Sequence, residues 1–129
     1  MTDVTDVLLV EDDESLRRIV TRHLRGHGFR VAEVESAEAA VEALEGGVRP
    51  KLVLLDLNLP GDTGWDLIRG PSLAAGGGPP VVLTSATTVS PKRLAEYQVA
   101  GYLPKPFPLE TLVATVKRFV RPEEEPENQ

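Results

Sequence analysis

Lys51-Leu52-Val53-Leu54-Leu55-Asp56-Leu57-Asn58-Leu59-Pro60-Gly61 is the stretch that decides the fold. The four apolar residues Leu52 to Leu55 are too short a run for a helix of their own. Bounded by Arg49-Pro50-Lys51 and Pro60-Gly61, they read as a strand buried on both faces, as in the middle of a parallel sheet. Asp56 follows directly and so stands at the strand's C-terminal edge, where ligands bind in open α/β sheets. Taken alone, Asp56 is either a turn-capping acid or a working group. Its neighbours in the chain decide.

Upstream, Val7-Leu8-Leu9-Val10 is a second apolar run, and it ends in Glu11-Asp12-Asp13. Met1 to Asp6 reads as a loose polar lead-in. From Glu14 the period changes: Leu16, Ile19, Val20, His23 and Leu24 recur at helical spacing, closed by Gly26 and Gly28. Arg17, Arg18, Arg22 and Arg25 on the opposite face read as solvated. Phe29 to Val34 alternates as a half-exposed strand, and Ser36 caps a helix from Ala37 to Glu45.

Downstream, Gly64 to Arg69 forms a short helix stopped by Gly70-Pro71, and Gly76 to Pro80 is a connection. Pro80 to Ala86 is the next apolar strand, carrying the hydroxyls of Thr84 and Ser85. Ser90-Pro91 opens a helix running to about Val99. Ala100 to Leu103 is a last short strand before Pro104-Lys105-Pro106-Phe107, and Pro108 to Val120 has helical spacing. The domain is read as residues 1–121. Residues 122–129, with Glu123-Glu124-Glu125, are read as a disordered acidic tail with no effector domain after it.

Five βα units in a row imply an α/β fold, a doubly wound five-stranded parallel sheet with helices on both faces. At 129 residues this is one domain. It has no cysteine for a disulfide or thiolate site, and no apolar run long enough to span a bilayer. No signal-peptide pattern opens the chain, and a cytoplasmic protein without membrane insertion is expected. A net charge of −6 argues against direct nucleic-acid binding and suits a chain that gathers carboxylates around a cation.

Strand ends bearing Glu11-Asp12-Asp13, Asp56, Thr84-Ser85 and Lys105 converge on one edge. Clustered carboxylates raise one another's pKa unless a cation is present. With oxygen ligands only, that cation is hard: Mg²⁺, with Mn²⁺ as a substitute. A lysine and a hydroxyl beside a metal-bound Asp suit phosphoryl chemistry, the carboxylate serving as nucleophile. His23 and His27 lack a third ligand in the pattern, and Trp65 reads as a cover for apolar surface.

In this pattern the sequence resembles a two-component response-regulator receiver domain, from Val7 to Val120. The matching signatures are Val7 to Asp13 with Leu16-Arg17-Arg18-Ile19-Val20, then Leu54 to Gly61, and Tyr102-Leu103-Pro104-Lys105-Pro106-Phe107. The resemblance implies a flavodoxin-like strand order 2-1-3-4-5. It implies Asp56 as phosphoacceptor, Asp12 as direct metal ligand, Glu11 as its water-bridged neighbour and the Asn58 backbone carbonyl as a further ligand. Lys105 matches the phosphate-contacting lysine, with Lys105-Pro106 cis, and Tyr102 the aromatic switch. Ser85 is the expected switch hydroxyl, with Thr84 the alternative; Thr87 lies where the family influences water access to the phosphate. Asp13 falls outside the acid pair.

The implied partners are a histidine kinase or histidine phosphotransfer protein, a downstream protein target, and a second copy in a phosphorylation-dependent homodimer. The implied role is signalling, not enzymatic turnover. A receiver that only binds a partner would not need Glu11, Asp12, Asp56 and Lys105 together. An aspartyl phosphohydrolase wants a second Asp two residues after the nucleophile, where this chain has Asn58. Two departures stand out: the interval from Ser85 to Lys105 is short, which abbreviates the helix from Pro91, and Gly70-Pro71 shortens the helix before it.

Overall fold

The computed structural model describes residues 4–59, 63–73 and 78–121. Five parallel strands, β1 (Thr5–Val10), β2 (Val31–Val34), β3 (Pro50–Asp56), β4 (Val81–Ser85) and β5 (Gly101–Pro104), pair in the order β2-β1-β3-β4-β5. Helices α1 (Glu14–Gly26), α2 (Ala37–Glu45), α3 (Thr63–Arg69), α4 (Pro91–Glu96) and α5 (Leu109–Lys117) connect and follow them, with a 3₁₀ turn at Pro71–Leu73. The expected α/β class and strand order hold.

Two apolar layers follow from the two-residue period of the strands. Val7, Leu9, Leu52, Leu54, Val82 and Leu103 face α1 and α5, packing on Val20, Leu24, Leu112, Val113 and Val116. Leu8, Val10, Val53, Leu55, Val81 and Leu83 face the other way, onto Ala37, Ala40 and Leu44 of α2 and Leu67 and Ile68 of α3. The central strands are thus apolar on both sides, which is why their sequences read as unbroken runs.

Three helices end in the same backbone device. In each, the residue three past the helix donates to a carbonyl five back, and the residue before it to one three back. The pairs are Phe29 N to Leu24 O with Gly28 N to Arg25 O, Val48 N to Ala43 O with Gly47 N to Leu44 O, and Val99 N to Leu94 O with Gln98 N to Ala95 O. This closure needs a left-handed residue. Gly28 and Gly47 supply it at φ 93° and 113°; after α4 it is Gln98, at φ 57°.

Several local expectations are corrected. Thr5 and Asp6 are not lead-in but the buried start of β1. Asp6 is held by Arg30 N at 2.7 Å and by Arg30 Nε at 3.3 Å, with Lys51 Nζ 3.5 Å from its other oxygen. Ile19 follows the helical period yet is 51% exposed. Arg17 is not merely solvated: it donates to the Glu11 carbonyl at 2.9 Å and pairs with Glu33 at 3.3 Å. The helix from Pro91 has only six residues, ending at Glu96 rather than Val99. Pro60-Gly61, Gly76-Gly77 and the tail at 122–129 lie outside the described residues.

Candidate functional site

Asp56 ends β3 in register with Thr84, and Ser85 ends β4 in register with Pro104. The ladder runs on past the strands: Leu57 N donates to Thr84 O and Lys105 N to Ser85 O. Sheet pairing therefore brings Asp56, Ser85 and Lys105 to one edge from three separate strands. Glu11 and Asp12 follow β1 at the same edge, where Glu11 N donates to Val34 O. Gly64 lets α3 approach this corner closely, since a Cβ there would meet Leu57 Cδ2 at 3.1 Å and Asp56 O at 3.5 Å.

Asp56 and Glu11 are buried, whereas Asp12 is exposed. Each offers a carboxylate oxygen within 4.8 Å of the others, an arrangement able to hold a metal ion. The donor set is oxygen alone, which fits a hard divalent cation and not a thiophilic one.

Lys105 Nζ lies 3.0 Å from Glu11 Oε1 and 3.3 Å from Asp56 Oδ2. Burial raises the Glu11 pKa above the usual 4.5; the hydrogen bonds from Lys105 and from Asp13 N pull it down, and the nearby Asp56 adds to the rise. Burial of the Lys105 ammonium opposes its charge. Its hydrogen bond to Glu11 and the field of Asp56 outweigh that, so its pKa lies above the usual 10.5.

The hydroxyl side of the edge is a tight network. Ser85 Oγ accepts from Thr87 N at 3.0 Å, faces two acceptors, Thr87 O at 2.9 Å and Asn58 Oδ1 at 3.3 Å, and lies 2.9 Å from Thr87 Oγ1, where either hydroxyl can donate. Tyr102 Oη donates to Thr87 O at 3.0 Å, tying β5 to the loop after β4. Lys105-Pro106 is cis.

Some roles were not visible in the sequence. Asp13 is the N-cap of α1, its Oδ1 accepting from Leu16 N at 3.0 Å. The Asn58 side chain, rather than its carbonyl alone, takes part: Oδ1 accepts from Ala86 N at 2.8 Å, while Asn58 N donates to Asp56 Oδ1 at 2.9 Å. An Asn two residues past a strand-ending Asp is the available signal for that turn. Trp65 stacks on Tyr97, centroids 4.4 Å apart, with the Arg93 guanidinium 4.8 Å from the Trp65 ring and that of Arg69 4.8 Å from Tyr97. The cover expected of Trp65 is thus a joint between α3 and the end of α4. His23 of α1 and His27, the residue that caps its C-terminus, pack ring to ring at 4.9 Å.

Comparison with known proteins agrees with this geometry. The family model described as the response regulator receiver domain matches residues 7–117, and the chain belongs to that family. It is 42% identical over 123 residues to the DNA-binding response regulator MtrA of Mycolicibacterium smegmatis, covering 93% of this chain and 53% of MtrA. It is 35% identical over 121 residues to the KDP operon transcriptional regulatory protein KdpE of Escherichia coli, covering 92% and 52%. The chain spans about half the length of these curated relatives. Among solved structures, a response regulator receiver protein from Burkholderia phymatum superposes with a TM-score of 0.77 at 29% identity, covering 89% of this chain and 94% of that one. A CheY-like receiver domain from Methanospirillum hungatei shares the fold at TM-score 0.79 and 19% identity, covering 90% and 93%. The chain is therefore a response regulator receiver domain of a two-component system, and no helix among its described residues is long and apolar enough to cross a membrane.

Proposed function

We propose that the chain is a phosphoacceptor switch in which Asp56 takes a phosphoryl group from the phosphohistidine of a histidine kinase or histidine phosphotransfer protein. The observation that carries this reading is the buried Asp56 carboxylate 3.3 Å from Lys105 Nζ and grouped with Glu11 and Asp12. An Asp56 oxygen attacks phosphorus, the P–N bond to the imidazole breaks, and the imidazole leaves with the electron pair and takes up a proton. Lys105 neutralises the phosphoryl oxygens as the acyl phosphate forms. Glu11, Asp12, Asp56 and the Asn58 backbone carbonyl would hold Mg²⁺, with Mn²⁺ a substitute, and the ion would supply further charge neutralisation. Ser85, in preference to Thr84, is the hydroxyl that turns to the new phosphoryl oxygens, and Tyr102 is the residue that follows the loop.

The output is a change in the surface around α4, β5 and α5 that a downstream protein or a second copy reads. DNA binding is named for MtrA, about half of whose length this chain covers; for the chain itself a protein partner is the reading. The test is intact-mass measurement after incubation with acetyl phosphate. One phosphoryl adduct is expected in Mg²⁺ and none in EDTA or in Asp56→Asn. An adduct that survives either change overturns the assignment.

A further inference from the structure

An acyl phosphate on Asp56 brings new anionic oxygens that need donors. Among the described residues Lys105 Nζ and Asn58 N–H already touch the Asp56 carboxylate, and Ser85 Oγ–H and Ala86 N–H stand at the end of the neighbouring strand, one and two residues past Thr84, the partner of Asp56. In the described structure these two have one acceptor in common, Asn58 Oδ1, at 3.3 Å from Ser85 Oγ and 2.8 Å from Ala86 N. The backbone N–H of Ala86 fixes which amide atom points there, because only the oxygen accepts. Ser85 has one proton for at least two acceptors, Thr87 O and Asn58 Oδ1, so its bond to Asn58 is shared; the Ala86 bond is not. Asn58 is anchored at its other end, its own N–H on Asp56 Oδ1 at 2.9 Å.

We propose that the Asn58 carboxamide is an internal competitor for the phosphoryl group, holding in the resting protein the Ala86 N–H and part of the Ser85 hydroxyl that the modified Asp56 must recruit. This rests on the phosphoacceptor reading of Asp56 and adds a regulatory residue to it. Asn58 is exposed, so its side chain can swing outward without opening the core. Each activation then exchanges one neutral hydrogen bond for one to a charged oxygen, and the neutral bond is the resistance to be overcome.

The test uses beryllofluoride, a stable mimic of an aspartyl phosphoryl group, at saturating Mg²⁺ with wild type, Asn58→Ala and Asn58→Leu. Both substitutions remove the acceptor; Leu keeps the bulk. Both are expected to tighten beryllofluoride binding about fivefold, the equivalent of one neutral hydrogen bond. In the free proteins the Ala86 amide proton is expected to move upfield, and Mg²⁺ affinity is measured alongside for each variant. If Asn58→Leu binds like wild type while Asn58→Ala binds more tightly, Asn58 is only a steric cover and the proposal fails. It fails also if neither variant gains, or if the gain equals a change in Mg²⁺ affinity. If wild type binds no beryllofluoride at all, the phosphoacceptor reading itself falls.

Discussion

Lys105 Nζ stands 3.3 Å from Asp56 Oδ2, although β5 and β3, the strands that deliver them, are separated by β4. The same ammonium is 3.0 Å from Glu11 Oε1. One positive charge thus serves two buried carboxylates, with the exposed Asp12 beside them. The site carries an excess of negative charge that a divalent cation would offset.

Replacing Lys105 by Met strands two buried acids. The expected cost is about 1–3 kcal/mol in EDTA, read as a lower urea midpoint at unchanged m-value, and Mg²⁺ narrows the gap. Because the folded pKa of Lys105 is raised above the usual 10.5, its contribution is fully present below that value and is lost as pH rises through the folded value. Urea midpoints from pH 7 to 11.5 check this: the difference between wild type and Lys105→Met holds at neutral pH and shrinks at the alkaline end.

Glu11 runs the opposite way. Its folded pKa is raised above the usual 4.5, chiefly by burial, so the folded state binds more protons and stability falls as pH rises from that value through the folded one. Glu11→Gln, which mimics the protonated form, is expected to match wild type near pH 4 and to exceed it at pH 7 in EDTA. Thermal unfolding at the two pH values measures it. A wild type more stable than the variant at pH 7 without metal would contradict the sign.

Asp12 and Asp13 are adjacent but separable. Asp13→Ala removes the cap on Leu16 N and is expected to destabilise by about 1 kcal/mol while leaving Mg²⁺ affinity nearly unchanged. Asp12→Ala is expected to abolish most Mg²⁺ affinity, seen by calorimetry, with little loss of stability. Weaker Mg²⁺ binding in Asp13→Ala than in Asp12→Ala would shift the acid pair by one residue.

Gln98 holds a left-handed conformation that glycine adopts freely. Gln98→Gly is expected to stabilise by about 0.5–1 kcal/mol, seen as a rise in melting temperature without change at the site. A fall would mean that the Gln98 side chain contributes more than its backbone costs.

Much of this was legible because the central strands are apolar on both faces: Leu52 to Leu55 and Val7 to Val10 announce a parallel sheet, and the acids that end them mark the edge where the candidate site lies. What the sequence hid depended on partners distant along the chain. Asp6 looks like lead-in because its partners, which make its burial tolerable, lie far along the chain, Arg30 just before β2 and Lys51 in β3. Ile19 keeps the helical period but falls beyond the arc that the sheet covers. The Asn58 side chain meets Ala86 only because β3 and β4 are neighbours, a relation that local spacing does not contain. Asp13, read as lying outside the acid pair and as supporting or solvated, is instead the cap of α1, a role concealed by the stronger pattern of acids around it.

Helix α4 has no buried residue, and the Arg69–Tyr97–Trp65–Arg93 stack braces its end, whereas all six residues of β1 are buried. Amide hydrogen exchange should divide along that line. The β1 amides wait for the whole domain to unfold, while those of α4 exchange through a local opening that breaks only the stack and a few contacts of Leu94. A signal that ordered or loosened this helix would change exchange by orders of magnitude there and leave the sheet's rates untouched. The domain can thus alter its surface at the cost of one short helix, without risking its core.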